Sequence, residues 1–256
     1  MVMHRILILG GTSEARQLAG LLAARGDCKI LLSLAGRTKA PAEQPVPVRV
    51  GGFGGAEGLA RYLEAEGVSL LIDATHPYAA QISRNAAEAA RLAGVPLIAL
   101  SRPAWKPVDG DSWAVVASVE GAVNALGDAP RRVLVTLGRQ ELLPFEAAPQ
   151  HIYSIRSVDP VDPLLDVPDA TYILGRGPFD EASERALLKE HRIEIIVSKN
   201  SGGTATYGKI AAARELGIEI VMIDRPQLPD VPSAGSVEEA VTMAGHALAF
   251  LAKRGV

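Results

Sequence analysis

The sequence predicts an α/β protein of two similar lobes, each a parallel sheet with helices on its faces. Three observations predict it. Short aliphatic and β-branched runs alternate with amphipathic helical patterns almost from end to end. The composition, 48% hydrophobic with 25 Gly and 17 Pro in 256 residues, suits a turn-rich globular chain with one large or two small cores. Finally, three stretches recur in the same order. "ILILGGTSE" (6–14) answers "VLVTLGRQE" (133–141), "RLAGVPLIALSRP" (91–103) answers "RELGIEIVMIDRP" (214–226), and "SVEGAVNAL" (118–126) answers "SVEEAVTMA" (236–244). The repeat lays Gly11 on Gly138, Glu14 on Glu141, Arg91 on Arg214, Gly94 on Gly217 and Arg102 on Arg225. It divides the chain into lobes 1–129 and 130–256, facing each other across a cleft suited to a ligand.

Residues 6–9 are aliphatic without a break, the pattern of a strand buried on both faces, and Gly10 and Gly11 permit a tight turn into a helix. Strands are expected at 5–10, 28–34, 46–50, 69–74, 95–100, 132–137, 151–156, 170–175, 193–198 and 218–223. Helices are expected at 13–25, 55–66, 79–93, 118–127, 180–190, 204–216 and 236–253. The proline-rich segments 101–113 and 224–235 lack periodicity and read as crossings between lobes, which would bring helix 236–253 onto the first lobe.

A formal charge of −3 argues against a general nucleic-acid binder. No window is apolar for the length of a membrane span, and the opening residues hold too short an apolar run for a secretory signal, so a cytoplasmic chain is expected. The one cysteine, Cys28, allows no internal disulfide and reads as packing.

In parallel α/β folds ligands sit beyond the carboxyl ends of the strands. The turn at 10–15 holds Gly10, Thr12 and Ala15 where a Rossmann fingerprint carries three glycines. Thr12 or Ser13 can cap the helix, whose positive end would stabilise a pyrophosphate; a purely structural turn is the alternative. At the end of the second strand Ser33 stands where an NAD enzyme carries an acid, with Arg37 and Lys39 just beyond, a pattern that favours NADP over NAD unless the turn is merely solvated. After the fourth strand comes "DATHPYAAQ", in which His76 reads more readily as a turn residue than as a proton donor. No second histidine or cysteine sits at ligand spacing, so no metal site is expected. The matching stretch of the second lobe, "VSKNSGGTATYGKI" (197–210), gathers Lys199, Asn200, Ser201, Gly202 and Gly203 ahead of Tyr207 and Lys209. With Arg139 and Arg176 it would suit a ligand bearing several carboxylates.

Together "GGTSEAR", "DATHPYA", "LSRP", "TLGRQEL", "SKNSGG" and the downstream "KIAAARELGI" resemble the precorrin-6A reductases of cobalamin biosynthesis, over nearly the full chain. The resemblance implies two Rossmann-like lobes with NADPH in the cleft, and hydride delivery to a double bond of precorrin-6A to give precorrin-6B. The cofactor would then lie against Gly10, Gly11, Thr12, Ser13, Glu14, Ser33, Gly36, Arg37, Thr75 and Pro77, with Thr12 and Ser13 supplying hydroxyls to phosphate. The anionic tetrapyrrole would meet Arg139, Arg176, Lys199–Gly203 and Lys209, and a proton could come from Lys199, Tyr207, His76 or solvent. Neither a membrane nor a nucleic-acid partner is expected, and a monomer would suffice. A cobalt-precorrin-6A reductase, a tetrapyrrole-modifying transferase and a non-catalytic dinucleotide sensor are the competing readings.

Overall fold

The computed structural model describes residues 3–36 and 43–254. In chain order the elements are β1 (His4–Leu9), α1 (Ser13–Ala23), β2 (Cys28–Leu34), β3 (Val48–Val50), α2 (Gly55–Ala65), β4 (Leu70–Asp73), α3 (Ala80–Ala93) and β5 (Leu97–Leu100). There follow β6 (Trp113–Val116), α4 (Val119–Ala125), β7 (Arg132–Val135), two 3-10 turns (Arg139–Glu141 and Leu143–Ala147), β8 (Ile152–Ser157) and β9 (Ala170–Leu174). The chain ends with α5 (Glu181–Glu190), β10 (Ile195–Lys199), α6 (Gly208–Leu216), β11 (Glu219–Ile223), β12 (Ser233–Ala234) and α7 (Val237–Arg254). Each strand and helix expected from the sequence is present, α6 starting four residues later than its pattern suggested. Two strands were not expected, β6 and β12.

Those two strands decide the division of the chain. It forms one unit from Met1–Arg102 with Pro226–Val256 and another from Pro103–Arg225, rather than dividing at 129/130. Each unit holds a six-stranded sheet, in the orders β12-β5-β4-β1-β2-β3 and β6-β11-β10-β7-β8-β9, with every pairing parallel. Counted outward from β1 or β7, both have the doubly wound arrangement in which strand order reverses beside the first strand. In the repeat, β6 and α4 correspond to β12 and α7. The first repeat's sixth strand nevertheless pairs with β11, and the second's pairs with β5. The physical reason is edge pairing: β6 and β12 take whichever sheet edge their preceding crossing segment reaches, a non-local choice.

Period-two alternation, with both faces of the sheet covered, explains why β1 is apolar from Ile6 to Leu9. Ile6 and Ile8 face α1 and α7, packing with Leu18, Leu22, Ala240 and Ala244, so α7 does lie on the first unit. Leu7 and Leu9 face the other way, onto Leu59, Leu63, Ala86 and Ala89 of α2 and α3. The second sheet buries Leu134, Ile196, Ile220 and Met222 with Leu188, Ile210 and Ala213. Helix α7 starts in a reciprocal cap, Glu239 N–H donating to Ser236 Oγ at 3.2 Å and Gly235 N–H to Glu239 Oε2 at 2.7 Å. Cys28 is buried, and burial, aided by the neighbouring Asp27 carboxylate, pushes its thiol up to about 11. It packs, as its sequence context predicts. Among the described residues no helix is long and apolar enough to cross a membrane, and no cluster of His, Cys, Asp or Glu could hold a metal ion.

Candidate active site

In the first unit the carboxyl ends of β1, β2 and β4 place the expected cofactor residues on neighbouring turns. Gly10 donates to Ser33 O at 2.9 Å, and a Cβ on it would lie 2.6 Å from Leu32 Cδ1, so its smallness serves strand packing. Gly11 has φ +116°, with open space where a side chain would project. Thr12 caps α1: its hydroxyl oxygen accepts from Ala15 N–H at 3.1 Å and its proton goes to Ala74 O at 2.8 Å. That corrects the expected role of Thr12 as a phosphate donor, because its one hydroxyl proton ties the glycine turn to the end of β4. Ser13 likewise donates to Glu14 Oε2 at 3.0 Å, and Glu14 pairs with Arg102 at 2.8 Å. The anion-binding capacity of this turn therefore resides in backbone N–H groups: Arg16 makes the first intrahelical bond, to Thr12 O, leaving Ser13 and Glu14 N–H ahead of it.

Ser33 is buried near the carboxyl end of β2 and stands in register with Arg49 on β3. Sequence reasoning passed over Arg49. Its guanidinium bonds Gly51 O at 2.5 Å and Gly52 O at 2.7 Å and lies 3.8 Å from the Phe53 ring centre, shaping the glycine-rich loop ahead of α2. The signal available was a lone basic residue in "VRVGGFGG". Gly36 follows with φ +74°, while Arg37 and Lys39 lie outside the described residues. After β4, Asp73 accepts from Thr75 N–H at 3.1 Å and Thr75 Oγ1 at 2.7 Å, Pro77 is buried, and His76 Nδ1 accepts from Tyr78 N–H at 3.3 Å. His76 is thus built into its turn.

In the second unit the donor-rich loop after β10 turns largely inward. Asn200 is buried and clamps the backbone of Trp105, accepting from its N–H at 2.8 Å and donating to its carbonyl at 2.9 Å. Trp105 Nε1 donates to Gly203 O at 2.7 Å, and Arg225 donates to Asn200 O and Ser201 O at 2.8 and 3.1 Å. Gly202 has φ +68°, and a Cβ there would lie 2.2 Å from Pro103 O. Much of "SKNSGG" therefore fastens both crossing segments, which corrects its reading as a loop devoted to ligand. Tyr207 accepts from Arg214 at 2.7 Å, and Arg214 is held by Asp111 at 2.8 Å. Lys209 is enclosed, donating to Thr206 O at 3.0 Å with its ammonium 5.0 Å from the Trp105 ring. Burial, with Arg156 adding repulsion against the opposing pull of Glu184, pushes it down to about 7. Enclosure removes it from the residues a carboxylate could reach. Arg139 is half-buried and Arg176 exposed, and Lys199, at the carboxyl end of β10, forms a two-oxygen ion pair with Glu141.

The model of the precorrin-6x reductase family CbiJ/CobK matches residues 5–245. The chain belongs to the precorrin-6x reductase family. A precorrin-6A reductase of a Sinorhizobium species is 59% identical over 245 residues, 96% of this chain and 94% of its own. A cobalt-precorrin-6A reductase of Priestia megaterium is 30% identical over 256 residues, covering 95% and 97%. The solved structure of CobK precorrin-6A reductase superimposes with a TM-score of 0.91 at 44% identity, covering 96% of this chain and 97% of that one.

For a member of the precorrin-6x reductase family, the first unit has what a nicotinamide dinucleotide requires. Its strand order reverses beside β1, the Gly10–Gly11 turn opens there, Gly11 leaves room for close approach, and α1 presents its N-terminal N–H groups. No acidic side chain occupies the Ser33 position to meet ribose hydroxyls. The second unit has the same strand order, but its first turn, Leu137-Gly138-Arg139, leads into two short 3-10 turns and offers no α-helix terminus.

Proposed function

We propose that this chain reduces a ring double bond of precorrin-6A with NADPH, forming precorrin-6B in cobalamin biosynthesis, as a cytoplasmic enzyme. The observation that carries the reading is the family match across 5–245 on a chain whose first unit keeps an open glycine turn at its strand-order reversal. The test is oxidation of NADPH with precorrin-6A and cobalt-precorrin-6A assayed side by side. The metal-free substrate is favoured because identity to a relative named for it is 59%, against 30% to one named for the cobalt form. Binding of NADPH without turnover on either substrate would instead support a dinucleotide sensor.

Choice of NADPH over NADH rests on Ser33 in place of an acid and on Arg37 beyond it. A charge-assisted pair to the ribose phosphate contributes roughly 1.5–3 kcal/mol, about 10- to 100-fold in affinity. Arg37→Ala is expected to weaken NADPH binding by that factor and leave NADH nearly unchanged, in a fluorescence titration of each cofactor. Equal weakening of both would refute the assignment.

Saturating a conjugated carbon–carbon bond adds hydride to one carbon and a proton to its neighbour, and the dinucleotide supplies the hydride. The chain's task is to hold the reactants and exclude alternatives. N–H groups at the start of α1 would take the pyrophosphate, and Arg139, Arg176 and Lys199 would take substrate carboxylates. The nominal proton donors serve structural contacts, His76 Nδ1 accepting from Tyr78 N–H, the Tyr207 oxygen accepting from Arg214 and Lys199 pairing with Glu141, and an electron-poor macrocycle can take its proton from solvent. Single replacements of His76, Lys199 and Tyr207 are therefore expected to leave turnover, with losses short of the roughly 10²–10⁴-fold typical of an essential general acid. Single-turnover oxidation of NADPH by saturating substrate measures this. A larger loss in one variant that still binds both reactants would identify a dedicated donor.

A further inference from the structure

Lys199, the last residue of β10, and Glu141, on the first turn after β7, meet at the carboxyl end of the second sheet. Both carboxylate oxygens of Glu141 engage the Lys199 ammonium, whose side chain is 15% exposed against 33% for Glu141. The more accessible partner is thus the acid, on a short 3-10 turn next to Gly138, with its backbone N–H bonded only locally, to Gly138 O at 2.8 Å. The repeat gives an internal comparison. Glu14, aligned with Glu141, also covers a cation, Arg102, but it does so from the first turn of an eleven-residue helix. Arg225, aligned with Arg102, has instead turned to the carbonyls of Asn200 and Ser201, leaving Glu141 to pair with Lys199.

We propose that Glu141 is an internal stand-in for a substrate carboxylate: it occupies Lys199 in the free protein and is displaced when an acetate or propionate of the macrocycle binds. This rests on the reading of Lys199 as a substrate anchor. Glu141 then sets specificity by competition, since only a ligand carboxylate presented with further contacts to the protein displaces a tethered one. A neutral or singly charged ligand at the same place is rejected, because it must break the pair without the compensating contacts.

The test compares wild type with Glu141→Gln, Lys199→Gln and the double variant, using precorrin-6A as probe. Two readouts serve: the KM in NADPH oxidation, and equilibrium binding without cofactor, followed by intrinsic tryptophan fluorescence, to which Trp105 beside the loop and Trp113 both contribute. Glu141→Gln is expected to tighten binding about two- to fivefold, the order of one released exposed to half-buried ion pair. Lys199→Gln is expected to weaken it, and Glu141→Gln to give no gain once Lys199 is gone. Should the amide variant fold poorly, Glu141→Asp, one methylene short of two-oxygen contact, is expected to tighten binding by a smaller factor. If Lys199→Gln weakens binding but neither Glu141 variant tightens it, Lys199 stands as an anchor and the competition is overturned. If Lys199→Gln leaves binding unchanged, the anchor reading falls and the proposal with it.

Discussion

Glu184→Ala is expected to cost about 3–5 kcal/mol of stability, the range for removing one partner of a buried ion pair. Arg156 on β8 and Glu184 on α5 are both almost fully buried, joined through the two terminal guanidinium nitrogens with Nη2 3.0 Å from Oε2. One face of the guanidinium lies 4.0 Å from the Phe179 ring centre. Without the carboxylate, Arg156 keeps a desolvated charge beside the equally buried Lys209, so the loss exceeds the net value of the pair. The double replacement Arg156→Met with Glu184→Leu is expected to recover most of the loss, because it removes the uncompensated charge along with its partner. Urea denaturation of the wild type and the two variants checks this. A loss below about 1 kcal/mol for Glu184→Ala would be the behaviour of a solvent-exposed pair and would contradict the burial of this one.

What the sequence disclosed and what it withheld divide along the range of the interactions involved. The β1 strand, its glycine turn and α1 are legible because strand burial, positive φ at Gly11 and the Thr12 cap act within about ten residues of one another. The repeat exposed the two-unit plan for the same reason, since each repeat encodes its own local pattern. Exchange of β6 and β12 was not legible. A four-residue and a two-residue strand carry little periodicity, and the sheet edge each joins is settled by partners more than 100 residues away.

The candidate site follows the same division. Donor residues in "SKNSGG" are visible in the sequence, but nothing local shows that the Asn200 amide matches the backbone of Trp105, 95 residues earlier, or that Gly202 abuts Pro103. Glu141 could have been singled out, since the repeat lays it on Glu14, yet its partner Lys199 is 58 residues distant. Lys209 misled because an isolated lysine ordinarily reaches solvent. The contrary signal is its helix, where Gly208, Ile210, Ala212 and Ala213 are buried around it, and a lysine surrounded by such positions has little solvent to reach.

That enclosure makes Lys209→Met the second large expected effect, and its sign depends on pH. In the unfolded chain the ammonium keeps its ordinary value of 10.5, whereas in the fold it is held at about 7. Between those values the unfolded chain binds more protons than the native one, so stability of the wild type rises with pH from about 7 to 10.5 and is level below. Methionine fills a similar volume beside Trp105 without a charge to desolvate. Its variant is therefore expected to exceed the wild type at pH 7 by a margin of order 1–3 kcal/mol, set by the depressed ionisation less the lost bond to Thr206 O. The margin should close as pH approaches 10.5, where the wild-type lysine is neutral in both states and retains its hydrogen bond. Urea denaturation at pH 7, 8.5 and 10 separates the outcomes. Parallel curves for the two proteins across that range would mean that Lys209 folds as an ammonium, with Glu184 offsetting its burial.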